Sequence, residues 1–140
     1  IDNRCQLLGF LPNPLSVVSR ASAFVLSSRF EGLPTVLIEA LAVGVPVIAT
    51  DCPSGPREIL ANGKYGVLVP PNDADALADA IMATLRSPPA RHGSLDKWLE
   101  QFSVETSVKQ HLDLFAASLA APPPQLRQAP LALSDSDKYQ

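Results

Sequence analysis

Charge is scarce in this chain. Only 18 % of its 140 residues are Asp, Glu, Lys or Arg, and these nearly cancel, leaving a net charge of −3 and a pI near 5.2. No basic field is available to neutralise a phosphate backbone, so nucleic acid is excluded as a partner. Cysteine is scarcer still. Cys5 and Cys52 stand alone, without C-x-x-C spacing, which excludes a disulfide framework and reads as reduced thiols of a cytoplasmic protein. His92 and His111 have no ligand partners at helical or hairpin spacing, so no metal is expected, and both read as helix-surface residues. No apolar run reaches the length of a membrane span. There is no G-x-G-x-x-G after a strand candidate, no P-loop and no G-x-S-x-G elbow. Dinucleotide oxidoreductases in particular are disfavoured by that absence.

What the chain does have is apolar content, 46 %, enough for the core of one domain. Its organisation centres on residues 23–50. Ala23-Phe24-Val25-Leu26 is an apolar run of strand length, and Ser27 to Gly32 is a polar break. Thr35 to Val43 has good helix content, and Gly44 suits a C-terminal cap. Pro46-Val47-Ile48-Ala49 is a second strand candidate. Strand, helix and strand in under thirty residues predict a βαβ unit and a parallel sheet.

Such sheets bind ligands beyond the carboxyl ends of their strands. The loop after Leu26 is one of those ends. It enters a helix near Pro34 or Thr35, where free N–H groups and the helix dipole favour an anion. Gly32 permits close approach to the backbone. Glu31 sits in the loop. Glu39 lies four residues after Thr35, on the same helical face and about 6 Å further along the axis. Read singly, Glu31 is a dipole partner, Glu39 a solvated helix residue and Arg29 a solvated loop charge. Read together, the two carboxylates bracket an anion site and can accept hydrogen bonds from hydroxyls. A nucleotide sugar has that distribution of groups.

These residues carry a resemblance. Glu31 and Glu39 enclose seven residues. With Gly32-Leu33-Pro34, Ala40, Gly44 and Pro46 to Thr50, they look like the E-x7-E element of GT-B glycosyltransferases. Within that fold they resemble the large retaining group called family 4, the glycosyl transferases group 1. Asp51 to Ile59 and Gly66 to Asp73 extend the likeness, which covers about residues 5–87. The resemblance implies a Rossmann-like parallel sheet with flanking helices, the donor-binding C-terminal domain of such an enzyme. It implies that Glu31 contacts the donor sugar in the catalytic site, orienting it rather than attacking it. Glu39 would meet the ribose, and the amides of Gly32, Leu33, Pro34–Thr35 and their neighbours the diphosphate. Gly9, Phe10 and Leu11 would lie at the base. No cofactor is implied, and no metal held by a DxD motif; the nucleotide-diphosphate sugar is a substrate. The acceptor would be a glycan or a lipid-linked sugar, with peripheral association at the inner face of a membrane.

Elsewhere the pattern continues. Cys5 to Phe10 reads as a first strand and Leu15 to Ala21 as a short helix. Pro56 suits a helix N1 position with Gly55 or Ser54 as cap, and this second loop can border the same cleft, where Ser54, Gly55 or Arg57 could touch a ligand. Gly66 to Val69 reads as a strand. Asn72 or Asp73 caps a helix whose Leu77, Ile81 and Leu85 form a stripe with Ala74, Ala78 and Met82. Leu95, Trp98, Leu99 and Phe102 mark another helix, and Val104 to Leu119 a last one. The aromatic residues Trp98, Phe102 and Phe115 read as packing. Residues 1–119 are expected to form one partial domain, and 120–140, rich in Pro, Gln and Ser, a disordered tail.

The resemblance also sets two expectations of incompleteness. A first residue of Ile1 and a single Met82 suggest a piece of something longer, lacking two strand-helix units and a basic Arg and Lys pair. The sheet is then expected to show a gap or an unpaired edge, and the isolated chain to be inactive in transfer. The alternative function is a non-catalytic, truncated α/β binding or interaction module.

Overall fold

A computed structural model describes residues 4–120. The chain divides into two compact units, Ile1–Ser103 and Val104–Gln140. The sequence reading placed residues 1–119 together. The tail from 120 lies, but for its first residue, outside the described residues.

The first unit holds a three-stranded parallel sheet in the order β1-β2-β3, with β1 at Phe24–Leu26, β2 at Val47–Thr50 and β3 at Val67–Val69. Phe24 pairs with Val47 and Ile48 with Val67. All four residues of β2 are buried, as expected for a central strand covered on both faces. Val47 and Ala49 share one face with Leu37, Ala40, Leu41, Ile59, Leu60 and Leu95, the core cluster. Ile48 points the other way, where a helix packs on β2 and β3. That helix is α4, Ala74–Arg86. The α/β class with a parallel sheet and flanking helices is the one expected.

Local chemistry explains the helices. α1 spans Leu15–Val18 behind Pro14, shorter than the expected 15–21. α2 spans Thr35–Ala42. It ends in a Schellman motif: Val45 N–H bonds Ala40 O and Gly44 N–H bonds Leu41 O, both at 3.0 Å, with Gly44 at φ +81°. Arg91 Nη1 donates to Leu41 O at 3.1 Å and closes the same end. α3, Pro56–Ile59, has Gly55 as its cap and Pro56 at N1. In α4, Asp73 Oδ1 accepts from Ala76 N–H at 2.9 Å. α5, Leu95–Leu99, runs into a 3-10 turn over Glu100–Phe102. α6 spans Val104–Ala120 and has no buried residue. No helix of the described residues is long and apolar enough to cross a membrane.

Three expectations are corrected. Cys5 to Phe10 forms no strand; Leu7 and Phe10 are 101 % and 92 % exposed. A strand needs a neighbour, and none stands beside this segment among the described residues. The far edge of β1 is likewise unpaired among the described residues. On α4 the shielded residues are Ala76, Leu77, Ala80, Ile81 and Thr84, while Ala74, Ala78, Met82 and Leu85 are exposed. The helix is rotated by about one position from the stripe read from Leu77, Ile81 and Leu85, because its seat on β2 and β3 sets the rotation. His92 sits in the loop before α5, edge-on to Tyr65, rather than on a helix.

Trp98 ties α5 to the core. Its Nε1–H donates to Ile59 O at 2.9 Å, and its ring lies between Tyr65 and Phe102. Trp98→Phe should cost about 1 kcal/mol for the lost hydrogen bond, and Trp98→Ala about 3 kcal/mol with the ring gone. Urea unfolding of the two variants checks the order.

Candidate active site

The site is built where β1 and β2 end. After Leu26 the chain crosses Ser27 to Leu33 and enters α2 behind Pro34, whose backbone is outside the helical region (φ −72°, ψ 87°). No side chain caps this helix. Leu37 N–H bonds Pro34 O at 3.0 Å, but no protein acceptor among the described residues meets the N–H of Thr35 or Val36. Pro34 is buried, whereas Gly32, Leu33 and Thr35 are exposed, so the helix start is open to solvent. A Cβ built on Gly32 meets nothing within 4 Å. Two unbonded amides at a helix N-terminus favour an anion.

Glu31 is half-buried at the edge of this opening. Ser28 Oγ donates to its Oε1 at 2.6 Å. Glu39 is exposed on α2, four residues from exposed Thr35, while Leu37, Ala40 and Leu41 turn into the core. The amphipathic split of α2 therefore leaves Thr35 and Glu39 on its solvent side. Neither carboxylate is sealed beneath packed side chains.

The second strand-to-helix loop touches the first. Gly55, at φ +81°, is buried so closely against it that an added Cβ would lie 2.4 Å from Pro34 Cδ and 2.5 Å from Gly32 O. Only glycine permits both that backbone conformation and that approach. Arg57 is not a free cation for a ligand: its guanidinium forms a two-pronged pair with the Asp51 carboxylate at the end of β2, with Nε–Oδ1 at 3.0 Å. Ser54 is exposed at φ 62°. Arg29 is exposed and without an ion pair or hydrogen bond among the described residues.

The structure thus brings Glu31, Gly32, Leu33, Pro34 and Thr35 together in one loop and helix start, with Glu39 on the helix they begin. Gly9, Phe10 and Leu11 lie in coil; Gly9 and Phe10 are exposed and Leu11 half-buried. Sequence reasoning missed Ser28 and Thr50, which anchor this loop. Ser28 carried a usable signal, a hydroxyl three residues before Glu31. Thr50 carried none, since its contact spans 22 positions.

The profile of the family described as Glycosyl transferases group 1 matches residues 1–96. The chain belongs to that family. Among its relatives is an N-acetylgalactosamine-N,N'-diacetylbacillosaminyl-diphospho-undecaprenol 4-alpha-N-acetylgalactosaminyltransferase of Campylobacter jejuni. It is 31 % identical over 97 residues, covering 69 % of this chain and 27 % of that protein. An exopolysaccharide phosphotransferase of Streptomyces coelicolor is 40 % identical over 124 residues, covering 82 % of this chain and 13 % of that protein. Among solved structures, the apo form of the lipopolysaccharide outer core galactosyltransferase WaaB superposes with a TM-score of 0.70 at 28 % identity. The match covers 84 % of this chain and 34 % of that one. The family member described here therefore spans about a third or less of the length of these proteins.

The loop contact generates a paired prediction. Gly55→Ala should destabilise the fold by about 2 kcal/mol, since positive φ and the clash with Pro34 both oppose it. Gly32→Ala should leave the melting temperature nearly unchanged. Thermal melts followed by circular dichroism distinguish the two.

Proposed function

We propose that this chain is the donor-binding part of a retaining hexosyltransferase that uses a UDP- or GDP-sugar. The observation that carries the reading is the open start of α2: two unbonded amides between Glu31 and Glu39. In this proposal the backbone N–H groups of Gly32, Leu33, Thr35 and Val36 and the α2 dipole offset the diphosphate charge. Glu39 accepts hydrogen bonds from the ribose hydroxyls and Glu31 from the sugar hydroxyls. Gly9, Phe10 and Leu11 are assigned to the base, the assignment with least support from packing. No cofactor enters; the nucleotide sugar is consumed.

Transfer with retention follows if the acceptor hydroxyl attacks the sugar C1 from the face that the leaving group departs. The C1–phosphate oxygen bond breaks, the C1–acceptor oxygen bond forms, and the departing phosphate takes the acceptor proton. Glu31 holds the sugar in position and forms no bond to it. Relatives named for undecaprenol-linked and lipopolysaccharide sugars support a glycan or lipid-linked acceptor. The reaction is accordingly proposed to run in the cytoplasm at the inner membrane face, where such an acceptor would meet a soluble donor. The acceptor groups are assigned outside this chain, which is expected to bind donor without transferring it. The phosphotransferase name of one relative is not carried over, because only 13 % of that protein is matched.

Titration calorimetry of the chain with UDP, GDP and their sugar conjugates tests the proposal. One nucleotide series should bind, and Glu39→Ala should weaken both nucleotide and nucleotide sugar by roughly tenfold, the loss expected for hydrogen bonds to a charged acceptor. Binding of no nucleotide would favour the alternative, a non-catalytic α/β interaction module.

A further inference from the structure

The loop that carries Glu31 has no regular structure of its own, yet its acidic side chain is tied down. Ser28 Oγ donates to Glu31 Oε1 at 2.6 Å. Ser28 is held in turn by Thr50, whose Oγ1 donates to Ser28 O and lies 3.4 Å from Leu26 O. Thr50 is only 5 % exposed and is the last residue of the buried central strand. Directly after it, Asp51 N–H bonds Val69 O at 2.7 Å, so Thr50 is clamped into the β2–β3 ladder on its other side. A continuous line of hydrogen bonds therefore runs from the sheet through Thr50 and Ser28 to one oxygen of Glu31. The other oxygen, Oε2, has no partner among the described residues.

We propose that Ser28, seated by Thr50, is a positioning residue that holds Glu31 with Oε2 presented to the sugar of the donor. The proposal rests on the reading of Glu31 as the sugar contact. A glutamate has three rotatable side-chain bonds, and freezing them on binding opposes affinity. With Oε1 already bonded to Ser28, that ordering is complete before the ligand arrives. A hydrogen bond to an ionised carboxylate is among the stronger kinds, so one hydroxyl suffices for the task. The benefit is confined to the sugar. A bare nucleotide diphosphate meets the amides and Glu39 and gains nothing from the orientation of Glu31.

The test compares the affinity of a nucleotide sugar with that of its parent nucleotide, measured by calorimetry on the whole chain with UDP-sugars and GDP-sugars as probes. Ser28→Ala should lower the ratio of sugar-nucleotide to nucleotide affinity by roughly tenfold, with nucleotide affinity held within about twofold. Ser28→Thr, which keeps the hydroxyl, should restore the ratio. If Ser28→Ala does not fold, Ser28→Cys keeps the side-chain shape at slightly larger size while giving up the strong hydrogen bond, and the same drop is expected. A ratio unchanged in Ser28→Ala while Glu31→Ala collapses it overturns the positioning role alone. Equal losses for nucleotide and nucleotide sugar in Ser28→Ala overturn it as well, since they indicate a general role in loop structure. A chain that binds neither ligand, or a Glu31→Ala variant with the ratio intact, removes the sugar-contact reading and this proposal with it.

Discussion

The site depends on the contact between two loops. The turn after β1 and the turn after β2 meet at Gly55, where the backbone of one lies against Gly32 and Pro34 of the other without room for a Cβ. Thr50 adds a hydrogen bond across the same junction, from its Oγ1 to Ser28 O. These contacts decide where α2 begins and which way its first amides face. They also explain why an irregular segment can present Glu31 in a defined place: it is fastened to the end of a buried strand rather than to other loop residues.

Behind that junction the energetics are those of a small α/β layer. β2 is buried on both faces, and Leu37, Ala40 and Leu41 lay α2 over the side that carries Val47 and Ala49. Burial of such aliphatic side chains is the main favourable contribution. Polar devices then set the ends: the Schellman motif at Gly44, the Asp73 cap of α4, the Trp98 bond to Ile59 O. The opposite, solvent-facing side of α2 is left to Thr35 and Glu39. One helix thus serves the core with one stripe and the candidate site with another, and its apolar spacing makes both possible.

Most of the regular structure was legible in the residues. The three strands lie within one residue of their apolar runs, and Gly44, Pro56 and Asp73 mark the helix ends where their backbone chemistry requires. The failures share a cause. Cys5 to Phe10 has strand composition, but composition supplies no neighbour to pair with, and the segment stays in coil. The α4 stripe was read from leucines and isoleucine, whereas the sheet beneath selects Ala80 and Thr84 as the inward positions. Arg57 read as a possible ligand contact, but Asp51, six residues earlier, takes its guanidinium. In each case the deciding partner is a matter of placement in space, which periodicity does not encode.

By itself the sequence determined the βαβ order, the caps and the spacing that puts Glu31 before α2 and Glu39 on it, because these follow from local backbone preference and helical period. Only the tertiary structure decided that Thr50 seats Ser28 beside Glu31 and that Gly55 locks the two loops together. It alone decided that the start of α2 stays uncovered. Those are contacts between segments some twenty residues apart, created when parallel pairing of β1 and β2 brings their carboxyl ends side by side.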